Sequence, residues 1–156
     1  MSERHAKTNR AAIALVLALT ATGALAASAA ETAIATRQAG YKKMGAAFKA
    51  INEELKKGSP DVKLIAANSA IVNAQSQQIP KWFPKGSGVE AGFKTKAKPA
   101  IWTEPAKFAA AGVKLQTEAG KLQTFAAAGN LDGVKAQVRA VGGACKACHE
   151  PYRAED

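Results

Sequence analysis

Residues 129–153 read GNLDGVKAQVRAVGGACKACHEPYR, and this stretch determines both the fold class and the kind of site. Gly129 is suited to ending one helix and Asn130 to capping the next. The apolar residues that follow recur at steps of 3, 4, 3, 4 and 3: Leu131, Val134, Val138, Val141, Cys145 and Cys148. This spacing predicts a helix whose apolar face, including both thiols, points into a helical bundle.

The two segments before the central loop also have a helical period. The first is predicted over residues 32–57, with one apolar face formed by Tyr41, Met44, Phe48, Ile51 and Leu55. Gly58 ends it. The second is predicted over residues 60–78, with Ser59 as the capping residue, Pro60 in the first turn and Pro80 beyond the end.

Residues 80–102 contain three prolines and three glycines and show no helical period. A loop of this length often has a function of its own. A third helix is predicted after it, capped by Thr103 with Pro105 in the first turn. The connections within each pair of helices are short, which favours antiparallel neighbours. The predicted fold is therefore all-α, an antiparallel (up-down-up-down) four-helix bundle.

The first thirty residues have the order of a secretory signal peptide. A basic start is followed by the uncharged segment Ala11–Thr20 and then by small residues. We predict cleavage between residues 26 and 30, a bundle domain over residues 31–156, and export to the periplasm. An uncleaved membrane anchor is the alternative, although the apolar run is shorter than the ~20 residues that a spanning helix needs.

Removal of residues 1–30 takes away three basic residues and one acidic residue, so the charge changes from +10 to 19 − 11 = +8. Nucleic acid is not expected as a partner of an exported protein. The excess of lysine and arginine fits either a solvated basic surface or a docking surface for an acidic partner or an anionic membrane.

The motif Cys145-Lys146-Ala147-Cys148-His149 is the attachment signature of c-type haem. Residues three apart on a helix lie on one face, so two thiols can each add to one vinyl group of the same porphyrin. The neighbouring His149 can then bind the iron. The sequence predicts one covalently bound haem c per chain, near one end of the bundle.

Three other interpretations of the two cysteines remain open. A C-x-x-C pair can be a thiol–disulfide redox site, but such a site normally lies at the start of a helix that follows a strand. A zinc site needs about four ligands, and His149 is the only histidine after residue 30. A plain disulfide between thiols three apart would be strained.

The motif lies almost at the C-terminus, and in this the chain resembles the class II cytochromes c, the cytochrome c prime family. The resemblance extends over most of residues 31–156. It rests on the following features in this order: Arg37-Gln38, Met44-Gly45, Ile101-Trp102, Gly129-Asn130-Leu131-Asp132, the haem motif and Tyr152-Arg153.

The resemblance implies a haem-binding bundle that forms homodimers through its first two helices. It also implies that Arg37 and Gln38 lie beside the haem propionates and Tyr41 on the distal side of the iron, with Met44 one turn further along. Arg153 is implied on the side of His149. Thr95 and Lys96 are aligned with a haem edge.

The residues by themselves leave alternatives open. Tyr41 and Met44 also suit the helix core, and Arg37 could be solvated. Pro151 is a departure that predicts a kink or an end of the last helix near Glu150, which leaves the direction of Arg153 open.

The leading functional prediction is a non-enzymatic, His149-ligated, five-coordinate high-spin haem protein. It would transfer single electrons and bind small gases such as nitric oxide and carbon monoxide. The first alternative is a low-spin electron carrier that uses Met44 as a second ligand, and the second is a thiol–disulfide oxidoreductase. The sequence does not identify the redox partner protein.

Overall fold

The computed structural model describes the backbone of residues 3–155 and the side chains of residues 29–155. The side chains of the predicted signal peptide therefore lie outside the described residues. The described part contains five α-helices: α1 (Glu3–Glu54), α2 (Val62–Ser76), α3 (Ala100–Thr103), α4 (Pro105–Ala127) and α5 (Leu131–Tyr152). Two 3₁₀ turns, Ile79–Lys81 and Val89–Ala91, interrupt the long loop between α2 and α3.

The architecture is the predicted antiparallel four-helix bundle. α1 packs against α2, α2 against α4, and α4 against α5, while the short α3 lies beside α4 and α5. The core contains fully buried aliphatic residues from all four long helices, among them Ile51, Ile65, Leu122 and Val134. Among the residues whose side chains the structure describes, no helix is long and apolar enough to span a membrane.

The turn between α1 and α2 shows that one predicted cap is wrong. Asp61, not Ser59, caps α2, and its carboxylate accepts hydrogen bonds from the backbone N–H groups of Lys63 and Leu64. The amide of Asp61 itself donates to a carboxylate oxygen of Glu54 at 3.0 Å. Serine and aspartate cap helices about equally well, so the contact of the Asp61 amide with Glu54 explains why the aspartate takes the capping position.

The start of α4 corrects a second prediction. The Thr103 hydroxyl does not cap this helix but donates back to the carbonyl of Pro99. Glu104 occupies the cap position without a side-chain hydrogen bond, and Pro105 begins α4 as predicted. The residue before a proline is pushed out of the helical region, and this separates α3 from α4.

The end of α5 lies close to the position that the sequence predicted. The helix includes Pro151 and ends at Tyr152, two residues after Glu150. The Arg153 amide still donates to the His149 carbonyl at 2.9 Å. At the other end, Gly129 has a φ of +66°, and the Asn130 side chain accepts from the Gly133 amide, both as the sequence predicted.

Candidate haem site

A cavity of about 680 Å³ opens at the end of the bundle where α5 ends. All ten residues that the sequence and the resemblance singled out line it: Arg37, Gln38, Tyr41, Met44, Thr95, Lys96, Cys145, Cys148, His149 and Arg153. They come from α1, from the long loop, from the last turns of α5 and, for Arg153, from the position just past the end of α5. The fold thus brings these residues together, while their individual roles toward a haem stay predictions.

The two thiols lie half-buried on the cavity side of α5. Cys145 packs against the main core and Cys148 against a smaller cluster of Ala97, Ile101 and Tyr152. Both cysteines are free. Burial raises the pKa of Cys145, and burial followed by the neighbouring Cys145 raises that of Cys148. Redox-active thiols have a lowered pKa, so these environments do not favour the oxidoreductase alternative.

His149 follows Cys148 directly and faces the same cavity. Partial burial, and then the charge of Arg153, lowers its pKa. A lowered pKa keeps the imidazole neutral at neutral pH, and a neutral imidazole is the form that binds a metal. The donor set is therefore suited to a covalently attached metal macrocycle.

Arg37 is buried, at 3% exposure, on the α1 side of the cavity. Its guanidinium donates to the Ser87 hydroxyl at 2.9 Å, to the Ser87 carbonyl at 2.7 Å and to the Thr95 hydroxyl at 2.6 Å. It also lies 4.9 Å from the centroid of the Phe83 ring. No carboxylate of the described residues forms a salt bridge with it, and burial lowers its pKa. A buried cation of this kind suits an anionic group entering the cavity.

Tyr41 lies on α1 and packs against aromatic residues of the long loop. Its ring meets Trp82 edge-on at 4.9 Å and lies 6.3 Å from Phe83. Burial raises the pKa of its hydroxyl, so Tyr41 stays protonated. Met44, one turn along, lines the same cavity but is 7% exposed and belongs to the main core.

The structure also identifies cavity residues that sequence reasoning did not assign to the site. Aromatic rings form one wall, with Phe83 and Phe108 5.0 Å apart and Phe108 and Tyr152 5.1 Å apart. Ser87, the main acceptor for Arg37, lies in a Gly-Ser-Gly segment, which carries no signal of a buried hydrogen-bonding role.

The bundle, the cavity at its end and the paired thiols beside a histidine define a c-type haem protein of the all-α kind. A family model described as Cytochrome C' matches residues 32–153. The chain therefore belongs to the cytochrome c′ family, as the resemblance predicted. Members of this family carry one covalently bound haem c per chain, which confirms the predicted cofactor.

Individual relatives agree with this assignment. The chain is 35% identical over 124 residues to a cytochrome c′ of Alcaligenes xylosoxydans xylosoxydans, covering 79% of this chain and 94% of the relative.

Two solved structures are similar over most of the bundle. One is a nitric oxide complex of a mutant cytochrome c prime from Alcaligenes xylosoxidans, with a TM-score of 0.73, 30% identity, and coverage of 81% of this chain and 97% of that chain. Another is a cytochrome c′ with a ligand-controlled dimer dissociation, with a TM-score of 0.75, 29% identity and the same coverage.

Proposed function

We propose that this chain is a periplasmic haem protein whose iron is held by His149 alone, that it exchanges single electrons, and that it binds small neutral gases such as nitric oxide and carbon monoxide. Bound haem supplies a reversible one-electron change and an open coordination position. The observation that carries the proposal is the contrast between two residues of α1. Met44 is packed in the core, whereas Tyr41 is only half-buried at the cavity wall.

The residues of the chain have separate tasks in this proposal. Cys145 and Cys148 would each hold the macrocycle through a thioether, in which the S–H group has added across a vinyl double bond with sulfur on one carbon and hydrogen on the other. His149 would bind the iron as a neutral imidazole. Arg37 and Gln38 would face the propionates, and the apolar wall favours uncharged gases over anions.

Tyr41 has no protein hydrogen bond to its hydroxyl within the described part of the chain, although it lines the cavity. A half-buried hydroxyl needs a partner. We propose that a gas or water on the distal side takes this place. Arg153, Thr95 and Lys96 complete the cavity wall near His149 and at the loop edge.

The test is the visible spectrum of the purified holoprotein, ferric and ferrous, with and without carbon monoxide. A high-spin spectrum that changes with the gas supports the proposal, and a low-spin spectrum indifferent to the gas contradicts it. Met44→Leu preserves the volume of a core residue. It is therefore expected to leave the spin state unchanged, while Tyr41→Phe is expected to change the gas affinity.

The second candidate is a low-spin electron carrier with Met44 as the sixth ligand. It is kept because Met44 does line the cavity. Under this alternative Met44→Leu would convert a low-spin protein into a high-spin one.

We also propose a homodimer through α1 and α2, whose exposed residues include Ala46 and Ala67, with Val62 at 41% exposure. Small apolar residues permit close helix contacts between two copies. Ala46→Glu and Ala67→Glu should weaken the dimer in analytical ultracentrifugation, and Ala110→Glu on the exposed side of α4 is the matched control.

Export is tested by fractionation of cells that express the full chain.

A further inference from the structure

The last turn of α5, which carries His149, has irregular backbone hydrogen bonding. Pro151 has no N–H, so it cannot donate to the carbonyl of Ala147 four residues before it. The amide of Ala154, which would bond to the Glu150 carbonyl in a continuing helix, donates instead to the carbonyl of Lys96 at 2.8 Å. The Glu150 carbonyl, one residue after His149, therefore needs a hydrogen-bond donor from elsewhere.

Lys98 provides this partner. Its ammonium Nζ donates to the Glu150 carbonyl at 2.8 Å. The lysine side chain reaches across from the long loop, 52 residues away in the chain. A positive charge at the C-terminal end of a helix is also favoured by the helix dipole.

Residues 94–98, here called the strap, hold the end of α5 at further points. The Lys98 amide donates to the Tyr152 carbonyl at 3.0 Å, and this bond and the bond from Ala154 to Lys96 together form the isolated antiparallel bridge between Ala97 and Arg153. With the bond from Ala154 to Lys96, the strap contacts α5 and the residues just past it on both sides of Pro151.

The other side of the strap is attached to α1. The Thr95 hydroxyl accepts from the buried guanidinium of Arg37 at 2.6 Å and from the Ala97 amide at 3.2 Å. The strap is therefore not a free loop segment. It connects a rigid part of α1 to the turn that carries the iron ligand.

We propose that Lys98 is a positioning residue for His149. By holding the Glu150 carbonyl, it fixes the peptide between Glu150 and Pro151, one residue past the histidine, and hence the orientation of the imidazole toward the iron. This proposal rests on the proposed function only in that His149 is the axial ligand.

The test uses the ferrous holoprotein and the iron–histidine stretching band in resonance Raman spectra. Lys98→Met keeps the aliphatic stem but removes the donor, so the band should shift to lower frequency as the imidazole loses its fixed orientation. Lys98→Arg keeps a donor and should return the band toward its original position. Lys63→Met, an exposed lysine at the start of α2, is the matched control and should leave the band in place.

Hydrogen exchange supplies a second readout. In Lys98→Met the Arg153 amide, which donates to the His149 carbonyl, should exchange about three- to tenfold faster, the factor expected for loss of one solvent-exposed hydrogen bond of ordinary strength.

The outcomes are distinct. A folded Lys98→Met protein with an unchanged band overturns the positioning role and leaves the proposed function intact. A wild-type protein without an iron–histidine band overturns the proposed five-coordinate state instead. If Lys98→Met does not retain haem, the Lys98→Arg holoprotein decides. A band at the wild-type position supports the positioning role, and a displaced band or loss of haem in this variant as well overturns it.

Discussion

Gly40 provides a prediction in which two effects of opposite sign compete. It is a buried residue in the middle of α1, beside the cavity residue Tyr41. A Cβ added there would overlap the ring edge of Trp82, with even the Cε2 atom only 3.0 Å away. Trp82 is 5% exposed and packs edge-on against Tyr41, so it has no free space into which to move.

The magnitude for Gly40→Ala follows from these contacts. Alanine should stabilise a helix interior by about 1 kcal/mol relative to glycine. Overpacking a rigid core costs about 1–3 kcal/mol, so the net change in the free energy of unfolding is a loss of about 0–2 kcal/mol. Gly143→Ala is the matched control, because Gly143 is exposed in α5 and an added Cβ would meet nothing within 4 Å. This variant should gain about 1 kcal/mol.

The assay is thermal unfolding of both holoprotein variants, followed by circular dichroism. At about 4 °C per kcal/mol for a domain of this size, Gly40→Ala should melt about 4–12 °C below Gly143→Ala. Gly40→Ala should also change the near-ultraviolet signal of Trp82. If Gly40→Ala melts as high as Gly143→Ala, the close packing of Trp82 on α1 is refuted.

Three further predictions concern attachment, capping and pH. Replacing Cys145 and Cys148 together by serine should abolish haem staining on a denaturing gel, since no thioether remains; a stained band would contradict covalent attachment through this motif. Asn130→Ala removes the cap of α5 and should lower the free energy of unfolding by about 1 kcal/mol in urea titrations, and an unchanged midpoint would show that the cap is not stabilising. The pKa of Glu54 is lowered in the folded state by Lys57 and then by the amide of Asp61. The contribution of the Glu54 carboxylate to the free energy of unfolding is therefore present above its unfolded-state pKa and is lost as pH falls toward the lower folded-state pKa. Glu54→Gln should flatten the acid side of a plot of this free energy against pH. A plot as steep as that of the wild type would contradict this role.

The bundle and the haem motif could be predicted because both depend on local spacing. The steps of three and four residues identify the buried face of α5, and the three-residue spacing of Cys145 and Cys148 places both thiols on that face. The caps were less predictable. Ser59 and Asp61 are both good capping residues, and the choice between them depends on the contact of the Asp61 amide with Glu54 from the preceding helix.

The cavity site was harder to predict, because it depends on contacts between segments that the spacing of residues in the sequence does not reveal. The resemblance, not the helical period, brought Arg37 and Thr95 into the prediction, and neither source indicated that they bond to each other. Ser87 and Lys98 were missed for a physical reason. Each acts through a hydrogen bond between segments about fifty residues apart, and a polar residue in a loop has no sequence pattern that distinguishes such a partner from water.

The burial of Arg37 links the fold to its cofactor. Ser87 and Thr95 accept three hydrogen bonds from the guanidinium through uncharged oxygens. Glu90 attracts the cation without forming a salt bridge with it, and burial is still the largest influence on the Arg37 pKa, which it lowers. Removing an arginine from water costs several kcal/mol unless an anion lies nearby. A fold selected for stability alone would place an apolar residue at this position of α1. Our proposal that Arg37 lies beside the anionic edge of the haem accounts for the buried cation. It predicts that Arg37→Met stabilises the haem-free chain relative to the holoprotein in paired unfolding titrations. If the substitution destabilises both forms equally, the arginine has a structural role only.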